Sequence, residues 1–215
     1  ETAFWPELNN ICVIPNPIIT QTERFSTCSA HQVIAAGRYV PQKGFDLLIE
    51  AWSIISKKYP TWTLRIYGDG VLRDSFQQRI DELAMTDSCI LEHTVSNIVD
   101  KYCESSIFVL SSRFEGFGMV ITEAMACGVP PVSFDCPCGP KDIIDDGKDG
   151  LLVENENIEK LAEKIAYLIE NENIRMDMGR QARINAQRFQ MENIVKQWKR
   201  LFEELSANSQ QSQKS

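Results

Sequence analysis

Between residues 33 and 153, short continuously apolar blocks alternate with longer stretches in which apolar residues recur every three or four positions. The blocks are Val33-Ile34-Ala35-Ala36, Leu64-Arg65-Ile66-Tyr67, Cys89-Ile90-Leu91, Ile107-Phe108-Val109-Leu110, Pro131-Val132-Ser133-Phe134 and Gly150-Leu151-Leu152-Val153. They are short, rich in β-branched and aromatic residues, and mostly without polar alternation, which predicts strands buried on both faces, as a parallel sheet requires. Among the longer stretches, Phe45, Leu48, Trp52 and Ile55 share one helical face that Tyr59-Pro60 ends. Residues 72–83, 98–103, 119–127 and 141–144 read as further helices, the third closed by Gly128 with proline two residues beyond. Strands alternating with helices at this pitch predict right-handed βαβ units and an α/β fold, an open parallel Rossmann-like sheet with helices on both faces.

The two ends of the chain read differently. Ile11-Cys12-Val13-Ile14 is expected to be a short strand closed by Pro15-Asn16-Pro17, and residues 18–31 a loop. From residue 158 onward everything is helical: Ile158, Leu161, Ile165 and Leu168 share a face, and two amphipathic helices follow over 174–189 and 192–205. The Ser/Gln-rich residues 207–215 are expected to be disordered.

Ligands of open parallel sheets bind beyond the carboxyl ends of the strands. Arg38, Lys43, Gly68-Asp69-Gly70, His93-Thr94, residues 112–118 and residues 135–140 all follow strands, so the topology sends them to one crevice. The helix after the fourth strand is approached by Gly116-Phe117-Gly118, which offers no side-chain oxygen to cap its first N–H groups. Bare amides at the positive end of a helix dipole favour an anion such as phosphate, and two glycines let it approach the backbone. Glu115 stands just before this end and Glu123 eight positions on, both placed to accept hydroxyls. Arg38 and Lys43 add a planar fork and a mobile point charge, a pair suited to a diphosphate.

Composition narrows the partners. The 215 residues are enough for one full core, and a net charge of −8 argues against a broad nucleic-acid surface, so any phosphate is held in a local pocket. No apolar run is long enough to span a bilayer. The seven cysteines form no C-x-x-C pair, and their odd number fits no closed disulfide framework, which points to the reducing cytoplasm. With only His31 and His93, no metal site is expected; Cys136-Pro137-Cys138 supplies two thiolates where a structural zinc needs four ligands.

The run Glu115-Gly116-Phe117-Gly118, continued by Glu123-Ala124-Met125-Ala126-Cys127-Gly128-Val129-Pro130, resembles almost letter for letter the signature of glycosyltransferase family 4, retaining sugar transferases of the GT-B fold. The resemblance covers most of this chain but only the carboxyl-terminal, donor-binding half of such enzymes. It implies a junction over residues 1–28, a Rossmann-like donor domain over 29–189, a crossover helix over 190–206 that returns to the amino-terminal half, and a tail over 207–215. It implies that Gly37, Arg38 and Lys43 hold the donor's diphosphate, with Arg38, Lys43 and Glu115 as the catalytic set. Glu115 would contact the donor sugar and Glu123 the ribose, both as ionised carboxylates; the Gly116, Phe117, Gly118 and Met119 backbone would hold sugar and phosphate. Gly68 would form a glycine turn and Thr94, with His93 and Val95, the edge of the base pocket. Gly139-Pro140 before Ile143-Ile144 resembles members that build bacterial surface polysaccharides, which tilts the donor toward a UDP-sugar. No metal or other cofactor is implied. The partners are a nucleotide-sugar and the amino-terminal acceptor domain, through which any contact with the inner membrane face would run, and transfer would not occur without that domain.

Three other readings are open. A dehydrogenase would share the sheet but lacks G-x-G-x-x-G after the first strand, where Gly37-Arg38 stands. A GT-B sugar-nucleotide epimerase is disfavoured by the Glu115/Glu123 pair. A non-enzymatic nucleotide-binding or interaction module would use the last helix, whose Trp198, Leu201, Phe202 and Leu205 form an apolar stripe.

Overall fold

The computed structural model describes residues 11–19 and 22–212. Its centre is a six-stranded, all-parallel sheet made of β1 (Gln32–Ala36), β2 (Thr63–Tyr67), β3 (Cys89–Glu92), β4 (Ile107–Leu110), β5 (Pro131–Phe134) and β6 (Leu151–Val153), in the spatial order β3-β2-β1-β4-β5-β6. All six strands predicted between residues 33 and 153 are present, and β1 and β4 are wholly apolar apart from Gln32 because both their faces are covered.

Alternate residues of one strand feed two separate cores. Val33 and Ala35 point with Leu64, Ile66, Ile107 and Val109 toward α1 (Phe45–Lys58), α2 (Arg73–Glu82) and α6 (Ile158–Glu170). Ile34 and Ala36 point with Phe108 and Leu110 toward α3 (Ile98–Cys103), α4 (Met119–Ala126) and α5 (Pro140–Ile143). Helix α7 (Glu172–Ala186) packs outside α4. The predicted face of α1 is the buried one: Phe45, Leu48, Trp52 and Ile55 are all inside. At about 25 cal/mol per Å² of apolar surface removed from water, such filled faces dominate the stabilisation of each layer.

Three expectations need correction. Residues 11–14 form no strand; the segment joins the domain further on, where Ile18 N–H donates to the Phe189 carbonyl at 2.8 Å, a single bridge with too few neighbours to make a ladder. The helix expected over 174–189 ends at Ala186, and a 3₁₀ turn, Gln187–Phe189, re-aims the chain so that Phe189 is buried. The last helix, α8 (Met191–Ser212), runs through positions 207–212 of the expected disordered tail; positions 213–215 lie outside the described residues. Ile194 of α8 is buried, whereas Val195, Trp198, Phe202 and Leu205 are exposed along one side. Among the described residues no helix is long and apolar enough to cross a membrane.

Candidate functional site

Strand order decides where the site forms. From β1 the chain builds outward to β2 and β3, then crosses back to place β4 on the other flank of β1, with Val33 beside Ile107. The loops leaving β1 and β4 therefore start side by side, at the reversal of strand order where ligands of such sheets bind.

These two loops are sewn together at their bases. Gly44, with φ +60°, lies so close to the Ser111 carbonyl that an added Cβ would sit 2.0 Å from its oxygen. Ser111 Oγ donates to the Lys43 carbonyl at 3.0 Å, and Arg113 N–H to the Gln42 carbonyl at 2.8 Å. The Arg113 guanidinium forks onto both oxygens of Asp46 at 3.0 and 2.6 Å, fixing the first turn of α1. The stem of Lys43 passes over Gly37, where a Cβ would meet three of its methylene carbons at 3.4 Å.

With that frame set, Lys43 Nζ donates to Glu115 Oε1 at 2.7 Å, and Ser112 Oγ donates to the same oxygen at 2.6 Å. The two charged side chains are 15% and 8% exposed. Two of the three residues expected to be catalytic thus meet across 72 positions of sequence, engaged with each other. Arg38 lies on the same loop, exposed; its carbonyl accepts from Val40 N–H at 2.9 Å, and its guanidinium makes no hydrogen bond or ion pair among the described residues.

Helix α4 begins as its glycines predict. Gly118 takes φ +92° as the N-cap, without a side-chain cap, and among the described residues the N–H groups of Met119 and Val120 have no acceptor. An added Cβ at Gly116 would meet nothing within 4 Å, so this stretch of backbone faces open space. Below it runs the loop after β5: Glu115 N–H donates to the Pro137 carbonyl at 3.2 Å, and Gly139 lies so close to Phe117 that a Cβ would sit 2.0 Å from its carbonyl oxygen. Cys136 is buried there, and burial followed by the nearby Glu115 charge pushes its thiol up to about 12. All seven cysteines are free thiols.

The other expected residues stand apart from this pair. Glu123 lies on α4, half-buried, with Tyr102 Oη 3.5 Å from its Oε2; burial pushes its carboxyl above the usual range, against the expectation of a readily ionised acid. Gly68 packs its backbone on the Gly37 carbonyl, where a Cβ would come within 1.9 Å. Thr94 has both donors spent, its N–H and Oγ1 on Asp69 Oδ2 at 2.9 and 2.8 Å, while His93 Nδ1 lies 2.8 Å from Asp69 Oδ1. The sequence alone does not single out Ser112, Pro137 and Gly139 for the roles they take here. Ser112 sits three positions before Glu115 at a strand end, a polar residue in a buried place, and that is the available signal.

The family model for glycosyl transferases group 1 matches residues 28–185. The chain belongs to this family. Among relatives, an uncharacterized glycosyltransferase of Haemophilus influenzae is 31% identical over 203 residues, covering 93% of this chain and 58% of that protein. The poly(ribitol-phosphate) alpha-N-acetylglucosaminyltransferase of Staphylococcus aureus is 34% identical over 166 residues, covering 77% of this chain and 34% of that protein. A variant of S. aureus TarM, solved with UDP, fondaparinux and alpha-GlcNAc-glycerol, superposes with a TM-score of 0.82 at 32% identity, over 91% of this chain and 40% of that one. This group 1 glycosyltransferase chain therefore spans between about a third and three fifths of these proteins. The sheet, its order and the helices on both faces are those of the carboxyl-terminal domain of a GT-B glycosyltransferase.

Proposed function

We propose that the crevice between the β1 and β4 loops binds the diphosphate and sugar of a nucleotide-sugar, most simply a UDP-sugar, for transfer of a hexosyl group to a saccharide acceptor with retention at the anomeric carbon, as in glycosyltransferase family 4. The observation that carries this reading is the Lys43–Glu115 contact at the foot of an uncapped helix: a cation, a hydroxyl acceptor and free amides meet at one sheet rim. In this reading Lys43, Arg38 and the amides around Gly118 meet the charge that grows on the leaving diphosphate as its bond to the sugar breaks. Glu115 accepts from the sugar and Glu123 from the ribose, with the base near Thr94. The neutralising charges are side chains and peptide dipoles, so the reaction is proposed to be metal-independent.

The curated relative that acts on poly(ribitol-phosphate), and the TarM variant solved with UDP, support a UDP-sugar donor and a role in surface polysaccharide or glycolipid synthesis. The acceptor is proposed to bind an amino-terminal domain, against which the exposed stripe of α8 packs and without which transfer does not proceed. Work on a cytoplasmic donor, at the inner membrane face through that domain, completes the proposal. Isothermal titration of this chain with UDP, GDP and ADP tests it: saturable heat from UDP, unchanged by EDTA, is expected, and no heat from any of the three overturns it.

A further inference from the structure

We propose that the Lys43–Glu115 ion pair is a resting contact which an incoming nucleoside diphosphate must displace, and that Ser112 is the positioning residue that keeps Glu115 in place once its cation is taken. The proposal rests on the donor-binding reading above and adds the competition and the second holder.

The Glu115 carboxylate is held entirely through one atom. Oε1 accepts from Lys43 Nζ at 2.7 Å and from Ser112 Oγ at 2.6 Å. Oε2 has no partner among the described residues, yet it is not sealed off, since Asn155 Oδ1 is the one buried side-chain oxygen or nitrogen left unpaired among them. An ionised carboxylate is acceptor-only, so the free oxygen is the one a ligand hydroxyl reaches.

The two donors on Oε1 differ in freedom. Lys43 is a point charge on a four-carbon stem that lies over Gly37, with nothing else among the described residues holding its ammonium. A diphosphate, with more charge than one carboxylate, draws that ammonium away. Ser112 cannot follow. It is 1% exposed at the end of β4, and its neighbours on both sides are tied to the β1 loop, Ser111 through its hydroxyl and Arg113 through its N–H. Glu115, only 8% exposed, would otherwise become a buried anion without its cation, a costly state. The hydroxyl of Ser112 lowers that cost, and ligand affinity therefore depends on a residue that need not touch the ligand.

The test uses this chain and UDP in isothermal titration. Removing the competitor, Glu115→Ala or the isosteric Glu115→Gln, tightens UDP by about fivefold, because Lys43 is free beforehand. Ser112→Ala weakens UDP by about fivefold, and Ser112→Thr, which keeps the hydroxyl, restores it to within about twofold. In the Glu115→Ala background, Ser112→Ala has no further effect beyond about twofold. Weaker UDP binding by both Glu115 variants, or a Ser112→Ala loss that persists without Glu115, overturns the exchange and leaves the donor-binding reading standing. A wild-type chain that binds no nucleotide overturns both. If Ser112→Ala does not fold, the two Glu115 variants and Ser112→Thr still separate these outcomes.

Discussion

Two sets of loops crown the same sheet, those after β1, β2 and β3 and those after β1 and β4, and they differ in how many of their polar groups they use on one another. Beyond β1, β2 and β3, strands added consecutively, the loops close on one another: Gly37 N–H donates to Tyr67 O at 2.9 Å, Tyr39 N–H to Asp69 O at 2.9 Å, and Tyr39 Oη lies 2.7 Å from the carbonyls of both Ile66 and Glu92. Asp69, His93 and Thr94 complete an exposed network in which nearly every donor is used. At the β1–β4 reversal the loops are joined as well, Gln42 Nε2 donating to the Phe114 carbonyl at 3.0 Å and Lys43 to Glu115 at 2.7 Å, yet free amides, a free carboxylate oxygen and an unpaired guanidinium remain there among the described residues. Both sets of loops are joined, but those of the consecutive strands use up nearly all their polar groups on one another, whereas those at the reversal leave some over, and the unsatisfied groups are what a ligand can use.

The largest effect is expected at the reversal itself. Lys43→Ala removes the cation from a carboxylate that is 8% exposed and from the proposed diphosphate, so UDP binding should fall by about a hundredfold. Part of the lost stability is offset by Ser112 and by solvent at Oε2, leaving a destabilisation of about 2 kcal/mol in urea titration. A loss of UDP affinity under about threefold would mean that the buried pair is scaffolding alone.

Next comes Gly118→Ala. Its φ of +92° is one that L side chains rarely adopt, and the new Cβ would sit 3.1 Å from Ile121 Cδ1. A strain of about 1–2 kcal/mol is expected, which for a chain of this size lowers the melting temperature by about 5 °C. UDP binding should weaken as the amides of Met119 and Val120 tilt. Unchanged melting and unchanged affinity together would show that the helix start can be built without glycine.

What is legible in the sequence follows the same division. Continuous apolar blocks are legible because a strand buried twice tolerates little else, and all six are strands in the structure. The Gly116-Phe117-Gly118 approach is legible because glycine brings no side-chain oxygen to a helix start and lets a ligand near the backbone; the missing cap alone does not mark the site, since of α1–α7 only α6 carries a side-chain cap, from Asn157. Residues 11–14 mislead for a physical reason: an apolar run reads as a strand, but the segment finds only the single bridge at Ile18. That Lys43 holds Glu115 is not legible, since both residues read as ligand contacts, and a pairing across 72 positions depends on strand order. The burial that disfavours Glu123's charge likewise comes from the packing around α4, where Tyr102 of another helix lies against it.

Glu123 gives the comparison a pH axis. Burial raises its folded value above the ordinary 4.5, so the folded state holds this proton more tightly than the unfolded one. Its contribution to stability is fully present below about 4.5 and is lost as pH rises through the raised folded value. Ribose binding needs the opposite form, an ionised acceptor. UDP affinity should therefore climb as pH rises through the raised folded value of Glu123, and Glu123→Gln should remove that part of the climb, leaving the part that UDP's own terminal phosphate contributes. A profile that Glu123→Gln leaves unaltered would assign the ribose to other groups.

The smallest effect belongs to the closed side. Asp69 is nearly half exposed, and its carboxyl is pulled down to about 2, first by the Thr94 N–H and then by His93 and the Thr94 hydroxyl. These are bonds among solvated groups, which water replaces at little cost when one partner goes. Asp69→Ala should leave the unfolding midpoint in urea unchanged within error, because Tyr39 and the backbone bonds of Gly37 still join the loops. What it should alter is the posture of residues 93–95: UDP affinity should fall by about threefold, with the preference for UDP over GDP narrowing, if the base lies against Thr94. A loss of about thirtyfold would contradict the picture of a spent network, and would move the working part of the crevice from the reversal between β1 and β4 to the outer strands.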